Sequence, residues 1–175
     1  MRVLVAMGSN LGNREASLAG AVRRMGEVFG AEFGGALKEV SGLYETDPVG
    51  GPMGQGRYLN AVASLRCSAS PLEILSVLQR LENEAGRVRA ERWGPRPLDL
   101  DLLWIDAGPQ EPDSAITVQD PPLLEVPHPR MWERSFVLLP LADVAPDLVD
   151  IPQPALGVEL VAEHWVSSVR GAEPR

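Results

Sequence analysis

The sequence predicts an α+β fold, a ferredoxin-like β-α-β-β-α-β sandwich with additional C-terminal strands and helices. Strand-like and helix-like segments alternate in that order as far as residue 105. Each of the two helical segments has one apolar face, which can cover one side of a sheet. The 175 residues contain no internal repeat and no linker, so we expect a single domain over residues 1–175, with its motif-bearing core at about 3–147.

The first half of the chain supplies the opening elements of this pattern. Residues 3–7 are apolar and predict a buried strand. Asn13 is the expected N-cap of a helix whose apolar residues recur at helical spacing until the glycines of residues 30–35 interrupt it. A strand is expected over 37–45. Residues 47–56 then hold four glycines and two prolines, which predicts a long irregular loop.

The second half begins with a strand over residues 58–66. Ser70 has capping-box spacing and is followed by proline, so it begins the second helix. The last strand of the pattern covers residues 98–105. Beyond it, we expect helices near residues 136–144 and 158–169.

Composition and charge exclude several classes of protein. The net charge is −8, so the field of the chain repels nucleic acid and anionic membranes, and neither is an expected partner. No apolar run reaches the length of about 18 residues that a membrane span needs, and no secretory leader is apparent. The single cysteine, Cys67, cannot form an intrachain disulfide. We expect a cytoplasmic protein, and no obligate protein partner is evident.

The carboxylates Asp99 and Asp101 are the most informative feature. In a strand they share one face, while the neighbouring leucines share the other. Two adjacent carboxylates repel each other unless a cation offsets their charge, and hard divalent cations prefer carboxylate oxygens. A pair of this kind is most often a solvated polar face. Here an arginine-rich segment directly precedes it, and metal-assisted phosphate transfer requires both groups.

The arginine-rich segment, residues 79–96, holds five arginines against three acidic residues. The sole lysine, Lys38, lies far from it and no P-loop motif exists, so a bound phosphate must be held by arginine or by backbone amides. Trp93 stands among the arginines, where it can pack either on the core or against a nucleotide base. A solvated charge run remains the alternative explanation.

Two further groups are candidates for ligand binding. Tyr58 and Asn60 share one face of their predicted strand, where a ring and an amide suit a flat heterocycle, although sheet packing alone also explains them. His128 stands between two prolines, and Arg134 nearby adds a cation for phosphate. A lone histidine is more often structural than catalytic.

In order along the chain, these segments resemble the 6-hydroxymethyl-7,8-dihydropterin pyrophosphokinase family of folate biosynthesis. Its members transfer pyrophosphate from ATP to a pterin alcohol and release AMP. The matching segments are Gly8-Ser9-Asn10-Leu11-Gly12, Tyr44-Glu45-Thr46 with Pro48, Tyr58-Leu59-Asn60-Ala61, Gly86-Arg87-Val88-Arg89, residues 92–101, and residues 126–131 with Arg134 and Phe136. The run over residues 92–101 is the most specific.

The resemblance implies ATP as co-substrate, two Mg²⁺ ions as cofactors and hydroxymethyl dihydropterin as the second small-molecule substrate. The catalytic residues that it implies are Arg87, Arg96, Asp99 and Asp101, with both aspartates as metal ligands. The implied pterin-binding residues are Thr46, Val49, Tyr58, Asn60 and Phe136. The implied ATP-binding residues are Gln79, Glu82, Arg89, Trp93, Arg96, His128 and Arg134. The loops at residues 47–56 and 87–97 match those that close over the substrates in the family.

Two other functions remain open at this stage. A metal-dependent nucleotidyltransferase with a D-x-D pair would attack the α-phosphorus of ATP and release pyrophosphate instead of AMP. A non-catalytic ferredoxin-like binding module would keep the scaffold without turnover. The intact carboxylate pair and arginine set argue against the binding module.

Overall fold

The computed structural model describes residues 1–50, 52–86, 94–108, 110–111, 114–121, 123–149 and 157–166. Its elements are β1 Arg2–Ser9, α1 Arg14–Phe33, β2 Ala36–Val40, β3 Leu43–Thr46, β4 Tyr58–Arg66, α2 Pro71–Glu84, β5 Asp99–Asp106, β6 Val118–Asp120, β7 Leu124–Val126, a 3-10 helix at Met131–Glu133, α3 Ser135–Val144 and β8 Val158–Ala162. Within those ranges, no helix has both the length and the apolar composition that crossing a membrane would require.

A six-stranded antiparallel sheet forms the centre of the molecule. Its strand order is β5-β1-β4-β3-β8, and β2 also pairs with β4. Helix α1 connects β1 to β2, which pairs with β4. Helix α2 connects β4 to β5, which pairs with the other side of β1. This interleaving confirms the predicted ferredoxin-like topology. A separate two-stranded ribbon pairs β6 with β7.

Strand alternation divides the core between the two faces of the sheet. On β1, Val3, Val5 and Met7 belong to the larger apolar cluster, which contains the buried faces of α1 and α2. Leu4 instead belongs to a second cluster with Leu141 of α3. The sheet is therefore covered on both sides, and the side chains of β1 reach one layer or the other according to the period of two.

The predicted helix termini are confirmed by their hydrogen bonds. The Asn13 side chain accepts from the Ala16 N–H at 3.0 Å, and α1 ends within the expected interval, where Gly34 adopts a left-handed φ of 57°. At the start of α2, the Ser70 hydroxyl accepts from the Glu73 N–H, while the Glu73 carboxylate accepts from the Ser70 N–H at 2.8 Å. This is the reciprocal capping box that the sequence predicts.

Two sequence-based predictions are wrong. The strand expected over residues 37–45 is two strands, because Ser41 and Gly42 interrupt it between β2 and β3. The helix expected near residues 158–169 is the strand β8 as far as Ala162, because this segment pairs antiparallel with β3 at the edge of the sheet. A long-range partner thus overrides local helical spacing, which is a weak determinant in a short segment.

A buried ion pair fastens the start of the sheet to the segment after α3. The Arg2 side chain, 5% exposed, donates two hydrogen bonds to the fully buried Asp106 and two to Asp147 at 2.7 and 2.8 Å. Burial opposes the charge, but both carboxylates raise the pKa of the Arg2 guanidinium above its ordinary value. The hydrogen bonds from Arg2 hold the pKa of the Asp147 carboxyl below its usual range.

We expect Arg2→Met to destabilise the fold by about 3–5 kcal/mol, because it leaves the buried Asp106 carboxylate without its guanidinium partner. The free energy of unfolding in urea measures this loss. Arg23→Met is the matched control, since it removes the solvent-exposed pair of Arg23 with Glu27 on α1, and such pairs contribute little. Equal losses in the two variants would contradict a special role for the buried pair.

Candidate active site

A cavity of about 430 Å³ opens on the face of the sheet that carries α3. Its floor is a row of residues that the strand pairing aligns. Gly8 of β1 is paired with Asp99 of β5 on one side and with Asn60 of β4 on the other. Ala6, one step along the same face, is paired with Asp101. Because Gly8 and Ala6 are small, the space above them stays open between the polar side chains.

Gly8 has an ordinary backbone conformation, and a glycine suits this position because little room is left for a side chain. A Cβ atom at this position would lie 3.3 Å from the Asn60 Oδ1 atom and 3.7 Å from the Tyr58 ring. The first of these distances is tighter than ordinary van der Waals contact, so a side chain at Gly8 would require Asn60 to shift by a few tenths of an ångström. The residues predicted to bind pterin are therefore packed directly around this glycine.

All five predicted pterin-binding residues line the cavity: Thr46, Val49, Tyr58, Asn60 and Phe136. Two of them are joined by a hydrogen bond, since the Asn60 Nδ2 group donates to the Thr46 Oγ1 atom at 2.8 Å and both residues are buried. Tyr58 is the strand partner of Thr46, and Phe136 comes from the first turn of α3. The sheet and α3 thus supply opposite parts of one pocket.

The predicted carboxylates also line this cavity, each with an arginine nearby. The Arg96 Nη1 atom lies 2.8 Å from an Asp99 oxygen, and the Arg134 Nη1 atom lies 3.9 Å from an Asp101 oxygen. Burial opposes the charge on Arg96, but Asp99 outweighs it and raises the pKa of the guanidinium above its ordinary value. The Arg134 guanidinium carbon also lies 5.7 Å from the centroid of the Phe136 ring, within cation–π range.

His128 is held in a defined orientation beside this charged group. Its backbone N–H donates to the Leu103 carbonyl at 2.9 Å, and its ring Nδ1 atom accepts from the Arg130 N–H at 3.1 Å. Burial, together with the charge of Arg134, lowers the pKa of the His128 imidazole. A neutral ring whose Nδ1 atom accepts must carry its proton on Nε2, which is a donor suited to an anionic oxygen.

The residues present fit a magnesium ion bound together with phosphate. Asp99 and Asp101 supply carboxylate oxygens on one face of β5, and both face the cavity. The described part of the chain contains no cluster of three or more acidic, histidine or cysteine side chains that would form a complete protein cage. Mg²⁺ typically binds through one or two carboxylates and completes its shell with water and substrate phosphates, so a two-carboxylate site is sufficient.

Some of the predicted ATP contacts lie elsewhere. Gln79 and Glu82, on α2, do not line this cavity. The buried Glu82 carboxylate accepts from the Leu100 N–H at 2.8 Å, so it ties α2 to β5 between the two aspartates. Arg87, Arg89 and Trp93 lie outside the described residues.

Arg130, which lines the cavity, and Asn10, which lies beside it, are polar residues to which the sequence assigned no role. Arg130 lines the cavity and was recognised only as part of a motif. Asn10 is buried, accepts from the Arg96 N–H at 2.8 Å, and donates to the Gln55 side chain at 3.2 Å. It therefore joins the glycine-rich loop to the end of the arginine-rich segment. Asn10 belongs to the segment at residues 8–12 that matches the family, but the match assigned it no role.

Comparisons with known proteins show which family this chain resembles. Residues 4–146 match the family model described as 7,8-dihydro-6-hydroxymethylpterin-pyrophosphokinase. A protein of Pseudomonas aeruginosa named 2-amino-4-hydroxy-6-hydroxymethyldihydropteridine pyrophosphokinase is 46% identical over 150 residues, which cover 84% of this chain and 82% of that protein. A protein of Bacillus subtilis with the same name is 41% identical over 140 residues, 80% of this chain and 75% of that protein.

A solved structure agrees with the topology. The crystal structure of an HPPK-DHPS in complex with substrates aligns with a TM-score of 0.54 at 12% identity, covering 83% of this chain and 40% of that one. At this identity the likeness supports the fold alone. Because residues 4–146 of the 175 match the family model and two relatives are 41% and 46% identical, the chain belongs to the 7,8-dihydro-6-hydroxymethylpterin-pyrophosphokinase family.

Proposed function

We propose that this chain transfers the pyrophosphoryl group of ATP to 6-hydroxymethyl-7,8-dihydropterin and releases AMP, as a step of folate biosynthesis. One observation carries the proposal: a single cavity joins a pocket of aromatic and amide side chains to two carboxylates flanked by arginines. A flat heterocycle and a polyphosphate chain need these two environments side by side. The names of the relatives at 38–46% identity support the same reaction.

At the acceptor end, we assign the pterin to the pocket of Thr46, Asn60, Tyr58, Phe136 and Val49. The aromatic rings offer flat surfaces for stacking on the heterocycle. The Asn60 amide, held by its bond to Thr46, offers polar atoms to the ring edge. Transfer requires the hydroxymethyl group to face the carboxylates at the other end of the cavity.

At the donor end, we assign the phosphates to Arg96, Arg134 and His128. The two guanidiniums match phosphate oxygens with their forked donors, and the His128 Nε2–H adds a neutral donor. Arg87, Arg89, Trp93, Gln79 and Glu82 remain nucleotide or catalytic assignments that rest on the family resemblance. Glu82 also acts from outside the cavity, because its bond to Leu100 supports the strand that carries the aspartates.

Asp99 and Asp101 would hold Mg²⁺, which offsets negative charge on the phosphates when it is bound. In the proposed reaction the hydroxymethyl oxygen attacks the β-phosphorus of ATP in line, the bond from that phosphorus to the α–β bridging oxygen breaks, and the hydroxyl proton is released. The arginines stabilise charge on the transferred group and on the departing AMP. Alignment of the two substrates supplies much of the remaining acceleration.

We also propose that residues 1–175 act as one domain. The strand β8 lies beyond the residues that match the family model, yet it pairs with β3 of the central sheet. The Trp165 Nε1–H donates to the Ser41 carbonyl at 2.9 Å and adds a second connection between the C-terminal segment and the sheet.

The first test is product analysis with ATP, MgCl₂ and 6-hydroxymethyl-7,8-dihydropterin. We expect equal amounts of AMP and pterin diphosphate, separated by chromatography. Release of inorganic pyrophosphate with transfer of the nucleotide would instead identify a nucleotidyltransferase. Binding of both substrates without turnover would identify a binding module.

Asp99→Asn and Asp101→Asn should each lower kcat by about a thousandfold or more, since several kcal/mol of charge stabilisation through the metal are lost. Asparagine keeps the shape of aspartate, so the fold should persist. The matched control is Asp120→Asn on the exposed face of β6, which should leave kcat unchanged. Activity near that of the unmodified chain at saturating Mg²⁺ would refute the metal assignment.

Tyr58→Ala and Phe136→Ala should each weaken pterin binding by about 1–3 kcal/mol, the range for a base stacked on an aromatic ring. Titration calorimetry with the pterin and with an unreactive ATP analogue measures both affinities. Phe33→Ala, on α1 across the sheet, is the aromatic control and should leave pterin binding unchanged. A larger loss of nucleotide affinity than of pterin affinity would contradict the assignment.

A further inference from the structure

Tyr44 and Asp143 form a hydrogen-bonded pair next to the cavity without lining it. Tyr44 lies on β3 and is 8% exposed, and its hydroxyl donates to the Asp143 carboxylate, with O···O distances of 2.9 and 3.1 Å. Asp143 lies in the last turn of α3. The pair therefore joins the edge of the sheet to the helix that covers it.

The same carboxylate has a second donor on the sheet. The Gly42 N–H, at the junction of β2 and β3, donates to the Asp143 Oδ2 atom at 3.0 Å. A Cβ atom at Gly42 would lie 2.7 Å from a methyl carbon of Leu160 and 3.4 Å from the Asp143 carboxylate. The tight contact would therefore be with Leu160, while the distance to Asp143 is an ordinary contact distance. Asp143 accepts hydrogen bonds from two points of one sheet edge, the Gly42 N–H and the Tyr44 hydroxyl.

Tyr44 and Asp143 lie on the same elements as the residues that form the two walls of the proposed pterin pocket. Tyr44 is the strand partner of Asn60 and lies two residues before Thr46 on the same face of β3. Asp143 lies seven residues after Phe136, about 10 Å along the axis of α3 and on the same side of the helix. The bond from Tyr44 to Asp143 therefore joins the helix that carries Phe136 to the strand that carries Thr46.

In the described part of the chain, α3 has few directional contacts besides those of Asp143 with the sheet and those of Asp147, just beyond the helix, with Arg2. Its N-cap, Arg134, makes no side-chain capping bond, and Pro140 inside the helix lacks a backbone donor. The remaining contacts with the sheet are apolar, through residues such as Val137 and Leu141. Apolar packing is not directional, so it tolerates small shifts of the helix. Hydrogen bonds to the Asp143 carboxylate depend on distance and angle, so they restrain such shifts.

We propose that Tyr44 and Asp143 are positioning residues for the pterin: their hydrogen bond fixes the separation between Phe136 on α3 and the Thr46–Asn60 pair on the sheet. This inference rests on the proposed function, because it takes the pocket between these walls to be the acceptor site. It assigns a role in acceptor affinity to two residues that touch neither substrate.

The test compares Tyr44→Phe and Asp143→Asn with the unmodified chain by calorimetry. Pterin affinity is measured in the presence of Mg²⁺ and a saturating unreactive ATP analogue, and the affinity for that analogue is measured alone. We expect each variant to weaken pterin binding by roughly three- to tenfold, the scale of one lost hydrogen bond, with analogue affinity changed less than about twofold. Tyr44→Phe removes the donor of this bond and Asp143→Asn weakens its acceptor, so the double variant should be little worse than the worse single variant.

Asp147→Asn is the matched control. Asp147 is also an aspartate near the C-terminal end of α3 that accepts hydrogen bonds from a buried side chain, but its partner is Arg2, away from the cavity. It should lower the Tm with pterin affinity unchanged. If Tyr44→Phe likewise lowers only the Tm, or weakens both ligands equally, the positioning role is refuted. If the unmodified chain does not bind the pterin, the proposed function itself fails.

Discussion

The pairing of β1 with β4 and β5 is the constraint on which the site depends. It places Gly8, which has no side chain, directly between Asn60 and Asp99. Because side chains alternate along a strand, a slip of one residue in either pairing would send the polar residues of one neighbouring strand to the opposite face, under α1 and α2. The apolar residues Leu65 of β4 and Leu100 of β5 oppose such a slip, since it would move them out of the larger core. The hydrophobic core therefore maintains the polar row.

The arginines and aspartates of the cavity lie as pairs of opposite charge, and a ligand that carries both phosphate and a cation could take the place of each partner. A chain with net charge −8 concentrates arginines at this site, and Arg96 pairs there with Asp99. Binding of ATP with Mg²⁺ would replace such a pair by two new ones, guanidinium with phosphate and carboxylate with metal. The half-buried surroundings strengthen each of these pairs compared with water. An acidic protein can in this way present a local site for a polyanion.

Hydrogen bonds supply the directional restraints that the two apolar cores lack. Asn10 holds the glycine-rich loop and the end of the arginine-rich segment against the turn after β1. Glu82 holds β5 against α2 through the Leu100 N–H, and Asp143 holds α3 against β3. Each of these polar residues joins two elements far apart in sequence. Packing thus brings the elements together, and a small number of polar contacts determines their alignment around the cavity.

The sequence by itself determined the features that depend on local spacing. Alternation placed Asp99 and Asp101 on one face of their strand. Capping residues located the starts of α1 and α2, and composition located the glycine-rich loop at residues 47–56. Only the tertiary structure decided the features that depend on a distant partner. Edge pairing with β3 made residues 158–162 a strand, and the partners of Asn10 and Asp143 appeared only when the chain was folded. The physical reason is that periodicity is a property of neighbouring residues, whereas hydrogen-bond partners and sheet edges are set by the packing of elements remote in sequence.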